Sequence, residues 1–255
     1  MTMTKEQARE KLHKVWSLPV GGEYQPHSMC PGCGEPMAYR IIAEVIDELN
    51  LRENMVHVTG IGCYAGVDGT LRLDKINALH GRAPSVATGV KRMLPDRFVI
   101  TTQGDGDLAS EGIAEAIHCA ARGEKFTTIV VNNGVNGETG GHMTATTIIG
   151  QKTKSTLEGR DPKIHGMPIK LAELIAQLDG TTYSARGSVH SPAAIKRTKK
   201  MVRAAFEAQL AGKGYSFVEI LTMCPTGWFM QTWEAPQYIE DVVTKYFTLG
   251  EFKTA

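Results

Sequence analysis

RFVITTQGDGDLASEGIAEAIHCAARGEKFTTIVVNNG, residues 97–134, decides the fold. It holds two short apolar runs, FVITT and TTIVV, and each stops at turn-forming residues: Gly104-Asp105-Gly106 after the first and Asn132-Asn133 after the second. Between them, LASEGIAEAIHCAARG has the apolar spacing of a helix with an Ala-rich face. Strand, helix, strand is one crossover unit, so the two strands run parallel, and near-continuous apolar strands of this kind are covered on both faces. Asp105 and Asn133 therefore emerge together at the carboxyl edge of the sheet, where open α/β sheets bind their ligands.

The same alternation continues on either side. MAYRIIAEVIDELN has helical spacing, NMVHVTGIGC reads as a strand ending in a glycine turn, and LHGRAPSVATGVKRML as a loop running into a helix. Later, IKLAELIAQLD, GTTYSARGSV, SPAAIKRTKKMVRAAFEAQLAG and YSFVEILTMC read as helix, strand, helix and strand. The expected class is α/β, a doubly wound, mostly parallel sheet, and 255 residues with 42% hydrophobic content suffice for one core. One domain is expected over 1–255. It opens with a short amphipathic helix (1–16), carries a Cys-containing loop (17–36) and ends in an irregular tail (225–255). The polar stretch 139–168 is too long for a connector and is expected to be a functional loop or a partner-binding arm.

With 28 basic and 27 acidic residues, the net charge of +1 offers no footprint for nucleic acid. The opening MTMTKEQAREKLHKVW lacks the apolar core of a signal peptide, and no stretch has the length to span a bilayer. A cytoplasmic protein without membrane partners is expected.

At the predicted edge, Asp105, the Asn133 amide oxygen and a backbone carbonyl near Val135 suit Mg²⁺, which takes a few protein oxygens and leaves the rest to phosphates and water. Gly104 and Gly106 let the backbone approach a diphosphate, and a helix beginning near Leu108 turns its amides toward the anion. By itself Gly-Asp-Gly is only a turn. A Rossmann site is disfavoured, because GDGDLASEG lacks the third glycine of G-x-G-x-x-G and no acidic residue ends the next strand.

Cys30 and Cys33 form C-P-G-C, a spacing open to a structural zinc, a redox dithiol or an iron–sulfur cluster. Cys63, in GIGC, and Cys224, in MCPTGW, each follow a strand and are expected at the same edge, which makes a four-thiolate site for zinc or iron. Cys119 lies in the Ala-rich helix and is expected to be a buried, inert thiol. His57, His118 and His165 show no catalytic partner, Trp228 and Trp233 are read as packing, and KRTKK near Lys196 as a solvated face that also suits an acidic acceptor.

GDG followed by NN at this spacing resembles the thiamin diphosphate motif. NNGVNGETGGHMTATT, together with CPGCG, GIGC and LHGRA, resembles the β subunits of 2-oxoacid:ferredoxin oxidoreductases over nearly the whole chain. The resemblance implies a thiamin-diphosphate-binding fold, specifically its diphosphate-binding half. It assigns Mg²⁺ to Asp105, Asn133 and the Val135 carbonyl, cofactor contacts to Gly104, Gly106, Asp107, Gly137 and Cys63, and a [4Fe–4S] cluster to Cys30, Cys33, Cys63 and Cys224. His80 is expected beside the cofactor, and His80 and Asn136 are the catalytic candidates. Family members commonly carry an aromatic residue in place of Asn136, Gln in place of His142 and Ile-Gly in place of Ser110-Glu111. These departures bear on the acyl group or on the shape of a partner subunit.

The implied activity is a coenzyme A-acylating oxidative decarboxylation of a 2-oxoacid in anaerobic metabolism, with electrons passed singly through the cluster to ferredoxin or a similar acceptor. CPTGW, GQKT and the short length resemble enzymes of branched-chain acids such as 2-oxoisovalerate, with aryl acids such as phenylglyoxylate next. No pyrimidine-binding half with its activating glutamate is visible, so an α subunit carrying it is expected, with γ and ferredoxin-like δ subunits. The alternatives are a non-redox thiamin-diphosphate decarboxylase or carboligase subunit and a zinc-stapled, non-catalytic binding module.

Overall fold

The structure is a computed structural model that describes residues 27–68 and 70–254, so the predicted helix over 1–16 and the first part of the Cys loop lie outside the described residues. Seven strands form the main sheet in the order β2-β1-β3-β4-β8-β7-β9. They are β1 (Met55–Thr59), β2 (Asp74–Asn77), β3 (Phe98–Gly104), β4 (Thr127–Asn132), β7 (Thr181–Ser188), β8 (Tyr215–Leu221) and β9 (Gly250–Lys253). All neighbours are parallel except β9, which runs antiparallel to β7. A separate two-stranded ribbon pairs β5 (Val135–Asn136) with β6 (His142–Met143).

Both faces of the sheet are covered, as the apolar strands require. On one face α1 (Glu35–Glu48) and α5 (Pro192–Leu210) pack Ile42, Ile46, Val202 and Phe206 against Ile100, Ile129, Val131 and Val218. On the other, α2 (Ala83–Met93), α3 (Ile113–Arg122) and α4 (Leu171–Ala176) pack Ala87, Ala116, Cys119 and Leu171 against Val99, Val130 and Phe217. Side chains of a strand alternate, which is why Ile129 and Val131 belong to one layer and Val130 to the other.

Three expectations are corrected. The Cys loop ends at Gly34 rather than at residue 36, because Pro36 sits in the first turn of α1, where a missing amide costs nothing. The helix after Gly104-Asp105-Gly106 begins at Gly106 rather than near Leu108, as a π-helix over Gly106–Glu111 that precedes α3. The tail is not irregular: two short helices flank a π-turn over Ile239–Val243, and β9 closes the edge at β7. Its partner is about 65 residues away in sequence, beyond the reach of any local pattern. Strand β2, DKIN, is exposed at all four positions, so no apolar run announces it.

The arm 139–168 is tied down from within. Arg160, 5% exposed, donates to the carbonyls of Thr144, Ala145, Thr147, His165, Gly166 and Met167. One side chain thus gathers six carbonyls of a segment with little regular structure of its own.

Candidate functional site

The chain leaves β1 to build β2 on one side and then returns to build β3 on the other, so the loops after β1 and β3 diverge and open a crevice. That cleft is lined by Ile61, Cys63 and Tyr64 after β1, Gly104 to Asp107 after β3, and Asn133 and Val135 to Gly137 after β4, with Glu35 of α1 at its floor. Gly104 lies opposite Val131 in the β3–β4 register, which brings Asp105 level with the Asn132-Asn133 pair.

Asp105 is 1% exposed. Its Oδ2 accepts hydrogen bonds from the hydroxyls of Thr144 (2.6 Å) and Thr146 (2.7 Å), and its Oδ1 from the Asn133 amide (3.3 Å). Burial pushes its pKa up to about 6 in spite of these donors. Asn133 donates from Nδ2 to Glu35 Oε1 (3.1 Å), accepts the Val135 amide at Oδ1 (3.1 Å), and accepts the Trp228 indole N–H at its carbonyl (2.7 Å). Asp107 faces the other way: it accepts from Tyr64 Oη (2.6 Å), Gln103 Nε2 (3.0 Å) and the Gly81 amide, so it joins three loops rather than pointing at a ligand.

Glu35 was not legible as a site residue. It is buried, its Oε2 has no hydrogen-bond partner, and burial followed by the charge of Asp105 pushes it up to about 8. The only sequence signal was an acid directly after C-P-G-C-G at the head of an apolar helix. Two carboxyl groups, Glu35 and Asp105, face the cleft, and among the described residues no Lys or Arg lines it. Burial opposes ionisation of these carboxyl groups, and a divalent cation in the cleft would offset that cost, so the donor set fits one. The amide end of the π-helix at Gly106 fits an anionic group held by that cation.

The cysteines converge beside it. The Gly34 amide donates to the Met223 carbonyl (3.0 Å), which brings the Cys33 loop against Cys224. A β-carbon placed on Gly137 would stand 3.1 Å from Cys63 Sγ and 3.9 Å from Cys224 Sγ, and one on Gly227 would stand 2.9 Å from Cys224 Sγ. The glycines thus leave room around the sulfurs. Burial, then the Glu35 charge, pushes the Cys33 thiol well above its ordinary range and Cys63 up to about 12; burial pushes Cys224 up to about 12, against a hydrogen bond from the Gly227 backbone. Such thiols ionise only beside a compensating cation, and four sulfur donors suit zinc or an iron–sulfur cluster. As they stand, no three His, Cys, Asp or Glu side chains among the described residues form a closed metal-ligand set. The fold supplies convergent donors.

Cys63 belongs to both groups, since it also lines the cleft. Asn136 is half-buried, and its side chain packs over Gly106, 3.2 Å from a β-carbon placed there. His80 does not line the cleft; it stands next to Gly81, which Asp107 holds. His142 is exposed and turns its ring to the Thr139 carbonyl (2.9 Å). Cys119 is buried, 3.3 Å from Thr88 Oγ1.

Residues 60–220 match the family described as thiamine pyrophosphate enzyme, C-terminal TPP binding domain. The chain is 37% identical, over 98% of its length and 53% of the relative's, to ketoisovalerate oxidoreductase subunit VorA of Methanothermobacter thermautotrophicus. It is 36% identical, over 79% of its length and 70% of the relative's, to 2-oxoglutarate synthase subunit KorB of Methanocaldococcus jannaschii. It thus spans about half the length of the VorA relative. Its fold is shared with a 2-oxoglutarate:ferredoxin oxidoreductase from Magnetococcus marinus, solved with 2-oxoglutarate, coenzyme A and succinyl-CoA bound, at a TM-score of 0.74 and 22% identity, covering 96% of this chain and 89% of that one.

A doubly wound, mostly parallel sheet with an acid-lined cleft at its switch point defines an α/β domain of the thiamin-diphosphate-binding class. The chain belongs to the thiamine pyrophosphate enzyme family, within the β subunits of the 2-oxoacid:ferredoxin oxidoreductases.

Proposed function

We propose that this chain is the diphosphate-binding half of a coenzyme A-acylating 2-oxoacid oxidoreductase, with a branched-chain acid of the 2-oxoisovalerate type as substrate. The observation that carries this reading is Cys63, which lines the acid-floored cleft and stands in the sulfur group with Cys224. A non-redox thiamin enzyme has no use for sulfurs there.

In this reading Asp105, Asn133 and the Val135 carbonyl hold Mg²⁺, and the amides around Gly106 hold the diphosphate. Gly137 and Cys63 line the same cavity. Cys30, Cys33, Cys63 and Cys224 hold a [4Fe–4S] cluster; the approach of Cys63 and Cys224 to Gly137 and the joining of the Cys33 loop to Met223 support this reading. When bound, thiamin diphosphate supplies a carbanion for attack on a 2-oxo carbon, and the cluster supplies a one-electron acceptor. The chain's own residues orient the cofactor and keep its diphosphate end from water. Asn136, which packs over Gly106, and His80, beside the Gly81 amide that Asp107 holds, are the catalytic candidates of this reading. An α subunit with the pyrimidine-binding half completes the site, ferredoxin-like subunits take the electrons, and coenzyme A takes the acyl group. The ketoisovalerate relative at 37% identity favours the branched-chain substrate.

Steady-state rates of the complete complex with 2-oxoisovalerate, phenylglyoxylate, 2-oxoglutarate and pyruvate, with ferredoxin and coenzyme A present, test the assignment. The highest kcat/KM is expected for 2-oxoisovalerate; a preference for 2-oxoglutarate would reject the substrate class, and turnover without electron transfer would reject the redox reading.

A further inference from the structure

Two fully buried charges lie on the neighbouring strands β8 and β7, where apolar side chains would be cheaper. Glu219 on β8 and Arg186 on β7 are both 0% exposed and stand opposite each other in register. Glu219 Oε2 accepts from Arg186 Nε (2.8 Å) and from the Ala172 amide (3.3 Å). Arg186 also binds Glu173 and the Thr248 carbonyl (3.0 Å), and its guanidinium lies 5.0 Å from the Phe247 ring centroid and 5.1 Å from that of Phe252. Four of the five guanidinium N–H groups are thus hydrogen-bonded.

On its other side, Glu219 reaches the cleft. It stands opposite Val130 on β4, so Asn132, two residues on, points to the same face. Asn132 Nδ2 donates to Glu219 Oε1 at 2.6 Å. That bond fixes which way the Asn132 amide faces, because a carboxylate accepts and cannot donate. Its oxygen is thereby directed at the Gly134 amide (3.0 Å) and the Thr146 hydroxyl (3.1 Å), and the same hydroxyl reaches Asp105 Oδ2 (2.7 Å). Reversing the amide would set an NH₂ group against the Gly134 N–H. The Thr146 hydroxyl has a single proton, which it shares between or alternates over Asn132 Oδ1 and Asp105 Oδ2, so the position of the one acceptor bears on the other.

We propose that Glu219, held by Arg186, is a positioning residue for the magnesium diphosphate site. It acts through Asn132 on the turn that carries Asn133 and through Thr146 on Asp105. This inference rests on the reading of Asp105 and Asn133 as the Mg²⁺ site. It also divides the labour of the paired asparagines: Asn133 faces the cleft, and Asn132 is the inner strut that orients it.

Calorimetric titration of the apo form of the full-length protein, with its co-purifying subunits, by Mg²⁺ and thiamin diphosphate tests the proposal, with thermal melting recorded in parallel. In Glu219→Gln a donor replaces one acceptor, so the Asn132 amide loses its fixed direction. The dissociation constant is expected to rise about 10–100-fold, the usual effect of losing a group that orients a ligand of the metal. Glu219→Gln combined with Asn132→Asp keeps the net charge and reverses the polarity of the bond, and most of the lost affinity is expected to return. A purely structural role predicts lower melting temperatures with unchanged affinity in the folded protein, and that result overturns the proposal. Equal impairment of the single and double variants, or failure of both to fold, overturns it as well. Absence of binding by the unaltered protein overturns instead the cofactor reading on which the proposal stands.

Discussion

Gly60 shows how tightly single residues set this site. A β-carbon there would stand 1.8 Å from Asp107 Oδ2, the carboxylate that holds Tyr64 and the Gly81 amide together. Gly60→Ala is therefore expected to destabilise the fold by about 1–3 kcal/mol, the usual cost of overpacking. It should also loosen the loop of His80, and a thermal melt with a titration of thiamin diphosphate reads both effects. Asp105→Ala removes the acceptor of two threonine hydroxyls and one amide. Cofactor analysis is expected to find thiamin diphosphate lost and cluster iron retained; joint loss would mean that the two sites are not separate. The placement of Asp105 and Asn133 at one cleft, with Cys63 beside them, is legible in the sequence because glycine turns and strand ends announce it. Glu35 and the Glu219 strut are not, since a buried carboxylate in a helix head or a strand is recognised only through partners distant in sequence, Asn133 for the one and Asn132 for the other.

Among the elements, the strands that carry the site were the easiest to read. FVITT, TTIVV and FVEIL are buried along their lengths, and their apolar runs say so. The arm 139–168 and the tail were opaque for a different reason. Arg160 organises the one and the open edge of β7 the other, and neither leaves a period in the sequence. The π-helix at Gly106 was missed because its neighbour α3 continues the same apolar spacing. Helix α5, by contrast, declares its start: Ser191 accepts the Ala194 amide and Pro192 follows in the first turn. Ser191→Ala is expected to lower stability by about 1 kcal/mol. Affinity for thiamin diphosphate should stay as it is, because α5 supplies no residue to the cleft; denaturant unfolding measures the first and calorimetry the second.

At the scale of the molecule, the doubly wound sheet sets the acid-lined cleft and the sulfur group at one edge, with Cys63 common to both. The fold class was legible from the alternation alone, and the edge followed from the parallel strands. No helix among the described residues is long and apolar enough to cross a membrane. The cleft supplies groups for the diphosphate end of the cofactor, so the chain alone is expected to bind Mg²⁺ and thiamin diphosphate yet to decarboxylate no 2-oxoacid until an α subunit is added, as release of carbon dioxide from the reconstituted mixture would show. Whether the cleft and the sulfurs form one redox site is decided by iron, sulfide, zinc and thiamin diphosphate analysis of the anaerobically purified complex, with Gly137→Ala alongside to crowd Cys63 Sγ at 3.1 Å. About four iron and four sulfide are expected in the site of this chain, together with bound thiamin diphosphate, and loss of that iron in the variant; a colourless protein with one zinc and no thiamin diphosphate would contradict the assignment.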